Sequence, residues 1–455
     1  MYYPFQSQGE WSLAKFLAEN LTQTQIKRFL ALPWLIWRDA EEVVQSLFGN
    51  PIFGANMMFD PILVMTALGR EYSEWFPAHE AHRIQDSLPD GATITPVTRM
   101  TGGLEMHPLF ISIGLKHSVD TGSMMLDPHG HLWHCFMPLV AWTADLPEQL
   151  MIACVSKSAS PVTEATHKQF GDVHRQSSHT SNLTLQHIEQ VTWNVHPWDN
   201  LNSFQRQAKM LQLNGICLPF WRNWLFVNPS TFLLPEILHT CHKFFFDHVL
   251  PWCKVLLGDE LNVRFKCHHK HIAVRHFVSS ISHVKQMTGR EHCDIQCTII
   301  PMIAGCVPPW FLHAVCTLIS FIYQAQSPVH TDSSVEAMEL SLHEFHTHKD
   351  AIIEARARMT KSGGVKDDFL IPKLELFHSF AEAIHNSGGL IQYTADHPFQ
   401  HTNKGKDFVD QSMWQFDMYS LIHSSDIPLI NTVSMEEEEI TTANPMLAWM
   451  RLTCH

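Results

Sequence analysis

Apolar residues recur every three or four positions over two long parts of the chain and gather into short unbroken runs between them. Near the start, Thr22-Gln23-Thr24-Gln25 has the form of a capping box, and Ile26, Phe29 and Leu30 follow it at helical spacing. Residues 35–48 repeat that spacing until Gly49-Asn50-Pro51 stops it. Between 104 and 155 the period changes: 109–113, 136–142 and 150–155 are apolar runs that read as buried strands or short buried helices. Residues 156–200, rich in Ser, Thr, His and Asn, read as a long loop or linker.

Helical spacing returns from 234 to 386. One helix opens at Pro235 and Glu236, passes through His239, His242, Phe245 and Val249, is kinked by Pro251 and ends at Gly258. A second covers 291–304, and a third covers 310–326 between Pro309 and Pro328. The fourth starts at the capping box Ser333-Ser334-Val335-Glu336 and puts Val335, Met338, Leu342 and Phe345 on one face. A fifth spans 372–386 and stops at Gly388-Gly389, after which 390–394 reads as a strand. No internal repeat interrupts this order.

Composition narrows the class. Hydrophobic residues form 45% of the 455 and charged residues 17%, so a large core can be buried and a disordered chain is excluded. The balance of 31 basic against 45 acidic residues, a net −14, argues against a strong nucleic-acid binder by composition alone. The most apolar stretch, 299–325, is broken by Pro301, Pro308, Pro309 and His313; its clean part is too short for a bilayer of about 30 Å, so no membrane partner is expected. The first residues show no basic-then-apolar leader, and eleven unpaired-looking cysteines suit reduced thiols inside a cell.

Histidine is abundant: 32, against 31 Lys and Arg together. His239, Cys241 and His242, then His268-His269-Lys270-His271, then Cys293 and Cys297 lie close in sequence, yet none forms the paired spacing of a zinc site. Nucleophile-elbow, phosphate-loop and His-Glu-x-x-His patterns are absent. Glu436 to Glu439 after Ser434 read as the solvated opening of a helix. Asp145 and Glu148 sit between two apolar runs. A carboxylate there either projects from a strand end toward a divalent cation or caps a turn before Pro147.

Several stretches carry a resemblance. They include Ile36-Trp37-Arg38-Asp39, Phe48-Gly49-Asn50-Pro51-Ile52-Phe53, Arg70-Glu71-Tyr72-Ser73-Glu74, Ala81-His82-Arg83-Ile84-Gln85-Asp86 and Thr101-Gly102-Gly103-Leu104-Glu105-Met106-His107. Ala144-Asp145-Leu146-Pro147-Glu148-Gln149, His239-Thr240-Cys241-His242-Lys243-Phe244-Phe245-Phe246-Asp247-His248, Met287-Thr288-Gly289-Arg290-Glu291-His292 and Ile391-Gln392-Tyr393-Thr394-Ala395-Asp396 extend it. Together they resemble the transposase of Plavaka elements, DNA transposons of mushroom-forming (basidiomycete) fungi related to the CACTA group.

The resemblance implies an α-rich α/β fold, a ribonuclease-H-like core with a large helical insertion. The expected parts are an N-terminal helical region (1–95), the first part of the core (96–155), a polar linker and start of the insertion (156–233), the insertion (234–389), and the end of the core with a tail (390–455). It implies Mg²⁺ or Mn²⁺ held by two Asp and one Glu, cutting of transposon-end DNA with strand transfer, and a nuclear location. Asp145 matches the second acidic ligand, with Glu148 and Asp396 as weaker candidates near the same cleft.

Departures from that pattern point to a silent copy. The family's Ser-Asp-Lys-Thr before Val97 is missing, as is its Ser-Glu segment after Asp396, and sequence is lacking between Pro33 and Leu35 and between Gly114 and Leu126. Cys293, Cys297, Cys316 and His271 stand where the family reads Arg, as deamination at CpG sites would leave them. The expectation is an internally deleted, catalytically inactive transposase relic that retains no metal and has weak or lost DNA binding, with self-association or a protein partner open. A helical interaction module acting through 234–390 and a His/Cys metal-binding protein are the alternatives.

Overall fold

The computed structural model describes residues 60–88, 122–136, 138–224, 226–267, 289–360 and 362–394, with residues 45, 48, 49, 51, 94, 277 and 281 singly. The chain divides into two compact units, one from 1–57, 97–136 and 397–455, the other from 58–96 and 137–396. The readings of 109–113, of Glu436 to Glu439, of His268 to His271 and of Asp396 fall outside the described residues, as does nearly all of the reading of the first sixty.

In chain order the larger unit begins with strands β1 (Met65–Thr66) and β2 (Gly69–Tyr72) and helix α1 (His79–Asp86). The smaller unit contributes the antiparallel hairpin β3 (Ser123–Leu126) and β4 (Leu132–Cys135), with Met124 opposite His134 and Leu126 opposite Leu132. Its turn is organised by buried Asp127, which accepts from the His129 and His131 amides (2.9 and 2.8 Å), the His131 ring (2.9 Å) and the Trp133 indole (3.0 Å). Burial pushes this carboxyl up, but those donors outweigh it and hold it well below the usual range.

Strand β5 (Trp142–Thr143) leads into helix α2 (Leu146–Ile152), so the apolar residues 150–152, read as a possible strand, are helical. Helices α3 (Ser181–Asn194), α4 (Leu201–Met210) and α5 (Pro229–Phe232) then precede β6 (Leu233–Leu234), which pairs in parallel with β5. The segment 156–200 is folded rather than a linker: Val162, Ala165 and Phe170 are buried. Its polar residues serve the backbone. Ser160 Oγ accepts from the Val162 and Thr163 amides, Thr163 Oγ1 donates to buried Glu375, and Thr166 with Gln169 forms a capping box.

Past β6 the chain makes two π-helical turns, Ile237–His242 and Phe245–Val249, before α6 (Leu250–Leu257) and α7 (Asp259–Cys267). Pro251 explains the second. A proline has no N–H to give the carbonyl four residues back and its ring crowds that carbonyl, and a wide turn absorbs both defects. Gly258, at φ +56°, ends α6 as expected.

The remaining helices are α8 (Gly289–Ile303), α9 (Pro309–Ala325), α10 (Asp332–His348), α11 (Asp350–Glu354), α12 (Pro372–Phe377) and α13 (Phe380–Ser387). Strand β7 (His330–Thr331) joins α9 to α10 and pairs antiparallel with β2, completing a sheet ordered β1-β2-β7. Helix α10 starts two residues earlier than its sequence suggests, because Thr331, reciprocated by Ser334, is the cap. The predicted single helix over 372–386 breaks at His378-Ser379, and 390–394 forms a 3₁₀ turn (Leu390–Tyr393) instead of a strand.

The core of the larger unit runs through both π turns and α6 to α13. Phe311, Val315, Leu318 and Ile322 form the fully buried stripe of α9, each contributing roughly 1.5–3 kcal/mol by leaving water. Phe377 sits at the centre, with ring centroids 5.0 Å from Phe244, 4.9 Å from Phe321 and 6.0 Å from Phe380. Among the described residues no helix is long and apolar enough to cross a membrane.

Candidate functional site

The parallel pair β5–β6 brings two distant segments side by side, with Trp142 opposite Leu233 and Thr143 opposite Leu234. Two residues past each strand stands a carboxylate: Asp145 after β5 and Glu236 after β6. Carboxyl ends of adjacent parallel strands are where α/β folds gather ligand-binding groups. Buried Gln149 fastens the two ends together, its side-chain amide donating to the Ala144 carbonyl (3.0 Å) and the Leu234 carbonyl (3.2 Å).

Each carboxylate begins a helical segment. Exposed Asp145 is the N-cap of α2, accepting from the Glu148 amide at 3.0 Å, with Pro147 in the first turn. Glu148 lies on that turn and accepts from the Trp142 indole at 3.4 Å. Glu236 is fully buried and caps the first π turn. Its Oε1 accepts from the Leu238 amide (2.9 Å) and the Thr394 hydroxyl (2.9 Å), and its Oε2 from the His239 amide and the His239 Nδ1–H (2.7 Å). A carboxylate offers about four acceptor positions. All four are taken.

Glu236 orients His239. With Nδ1 committed to the carboxylate, the ring is half-exposed and its other nitrogen, Nε2, is the one left over. The hydrogen bond to Glu236 lifts this imidazole above its ordinary value; burial opposes it, and the charges of Glu236 and Asp145 assist. Lys373, in the first turn of α12, lies within electrostatic reach of both Asp145 and His239. Burial lowers its ammonium to about 8 against the pull of Asp247 at 3.8 Å, while Asp247 is itself held by Lys243 at 2.9 Å.

The cluster His239, Cys241, His242 does not converge. His239 faces Glu236, the Cys241 thiol is buried and pushed well up by that burial, and buried His242 donates from Nδ1 to Gln296 Oε1 at 3.1 Å. Among the described residues no group of three or more His, Cys, Asp and Glu can hold a metal ion. A pair of divalent cations needs several carboxylates with free lone pairs. The donors described do not fit that demand: Asp145 caps a helix, and Glu236 is saturated. Asp396 lies outside the described residues, whereas Gln149, Glu236 and Lys373 went unnoticed as site residues in the sequence. The one local signal was Glu236 followed three residues later by His239, a side-chain pair that can meet across a helical turn.

No curated protein and no solved structure matches the chain. The profile of the Plavaka transposase family does, over residues 6–119 and 114–253, more than half of the 455 residues and both strands of the parallel pair. The chain belongs to the Plavaka transposase family.

Proposed function

We propose that this chain is a transposase-derived protein in which the ancestral chemistry, metal-dependent cleavage of transposon-end DNA followed by strand transfer, has been lost. The observation that carries the reading is the state of the two carboxylates at the strand ends. Asp145, the match to an ancestral cation ligand, is engaged as a helix cap, and Glu236 has its acceptor positions filled by four protein donors. Asp145, with one oxygen given to the cap, cannot by itself neutralise and position two Mg²⁺ or Mn²⁺ ions about 4 Å apart. The family match also falls into two segments that meet at residues 114–119, which supports missing sequence between Gly114 and Leu126.

On this reading the ancestral core is ribonuclease-H-like and interrupted, the natural partner is DNA met in the nucleus, and residues 234–389 are the inherited helical insertion. The test is nicking of a supercoiled plasmid carrying the element's ends, with Mn²⁺, by the full chain and by Asp145→Ala. The expected result is the same background for both. Mn²⁺-dependent nicking that Asp145→Ala abolishes overturns the proposal.

A further inference from the structure

We propose that the outward face of α3 reads A·T-rich duplex DNA in the major groove, with Gln186 and Gln190 on base edges and Arg206 and Lys209 of α4 on phosphates. The inference rests on the reading that DNA is the partner and deepens it; none of these residues belongs to the strand-end carboxylate site.

Periodicity sets the face. Asn182, Gln186, Gln190 and Asn194 follow one another at four-residue spacing, so they form one ridge along α3, each about 6 Å beyond the last. Thr184, Ile188 and Val191 bury the opposite side, and α3 packs against α4, which buries Phe204 and Ala208. All four amides are exposed, and none of their side chains bonds a described residue. Gln186, Gln190 and Asn194, with Glu189 and the 90% exposed indole of Trp193, line a groove of about 490 Å³. The first turn is fixed at both sides: Thr180 accepts from the Leu183 amide at 3.3 Å, and Asn228 accepts from the Ser181 amide at 2.9 Å.

The chemistry of that ridge selects the partner. A solvated helix face ordinarily carries charges, whereas this ridge carries neutral amides. A side-chain amide donates and accepts at once, which is the pairing that N7 and N6 of adenine require, and an indole gives the thymine methyl apolar contact. The major groove admits an α-helix, and a step of about 6 Å spans close to two base pairs. Charge agrees. Residues 156–224 hold six Lys and Arg against four Asp and Glu, a net +2 within a chain of −14. Arg206 and Lys209 are exposed on α4, and neither pairs with a carboxylate among the described residues. Glu189 is the one acid lining the groove, and it opposes this partner, because a carboxylate repels phosphate and accepts from cytosine rather than adenine.

Anisotropy of the full chain in EDTA tests this, with A·T-rich and G·C-rich duplexes of about 20 base pairs at salt between about 50 and 200 mM. The expected A·T preference is about 25-fold, and Gln186→Ala and Gln190→Ala each divide it by about 5 without changing the salt slope. Lys209→Met weakens both duplexes alike, about 5-fold, and flattens the salt slope by about one. Glu189→Gln strengthens A·T binding about 5-fold, a gain that misfolding cannot produce. Duplex bound without an A·T preference, or with one indifferent to residues 186 and 190, overturns the proposal and leaves DNA as the partner. Failure to bind either duplex overturns both. A dimer in sedimentation that Trp193→Ala dissolves, with no DNA bound, gives the face to a second copy and overturns the proposal as well.

Discussion

Lowering the pH from 7.5 to 5 should destabilise the larger unit chiefly through its buried histidines. His242, His330 and His346 are 2%, 1% and 4% exposed. Burial lowers His242 and His330 to about 4, and burial together with the charge of Lys349 lowers His346 to about 2. The unfolded chain takes up these protons near 6.5, while the folded chain refuses them until its own lower values. Between those limits the unfolded state binds more protons, so stability falls as pH falls. Each histidine then costs about 1.4 kcal/mol per pH unit below 6.5, or ~2 kcal/mol by pH 5, and the three together reach ~6 kcal/mol. That is comparable with the whole stability of an ordinary domain, about 5–15 kcal/mol.

Two groups oppose the trend. His239, raised by Glu236, adds stability that is full below the unfolded value and lost as pH rises through its folded one, and buried Glu375, raised by burial, gains as pH falls toward its own range. Neither matches three buried neutral rings. Urea unfolding followed by far-UV circular dichroism at pH 7.5, 6.5, 5.5 and 5 measures the slope. His330→Gln removes one titrating ring and should reduce that slope by up to about 1.4 kcal/mol per pH unit, one ring's share beside His242, His346 and the similarly lowered His248 and His378. A stability that is flat or rises between pH 6.5 and 5, or a slope untouched by His330→Gln, refutes the reasoning.

Other substitutions test the packing that builds the site. Glu236→Gln puts an amide where the His239 ring and backbone both donate, and should cost about 3–5 kcal/mol in urea unfolding at pH 7.5. Phe377→Ala removes the ring between Phe244 and Phe321 and should cost about 3–5 kcal/mol in the same assay. Gly388→Ala places a Cβ against the Glu74 carbonyl at φ +82°, where the left-handed backbone alone costs about 1–2 kcal/mol, so its thermal midpoint should fall clearly. A midpoint equal to that of the unmodified chain would mean that the turn after α13 is built differently.

The helices were legible where local chemistry decides. Pro309 opens α9, Gly258 closes α6, and the stripe Val335, Met338, Leu342 and Phe345 is buried along α10 as its spacing predicts. Reading failed where the deciding partner is distant. Leu390 to Thr394 has strand composition, yet Gly389 lies against the Pro328 and Ser73 carbonyls, and that close approach turns the chain into a 3₁₀ helix. The polar stretch after 156 looked like a linker because hydrophobic periodicity cannot register hydroxyls that bond backbone amides.

The site divides along the same line. Asp145 was visible because it punctuates two apolar runs, and the cap reading was already open to it as one of two roles. Glu236 was not, because its meaning comes from β6 lying parallel to β5. A parallel pair needs a crossover, here residues 144–232, and no pattern within either strand specifies which two-residue segment it will meet. What could be read locally was the Glu236–His239 spacing. Its chemistry followed only once Gln149 had joined the two strand ends and Thr394 had filled the last acceptor of the carboxylate. In this chain the capping residues were therefore written locally and the cleft was not, because a cap needs its own next turn while a cleft needs a partner ninety residues away.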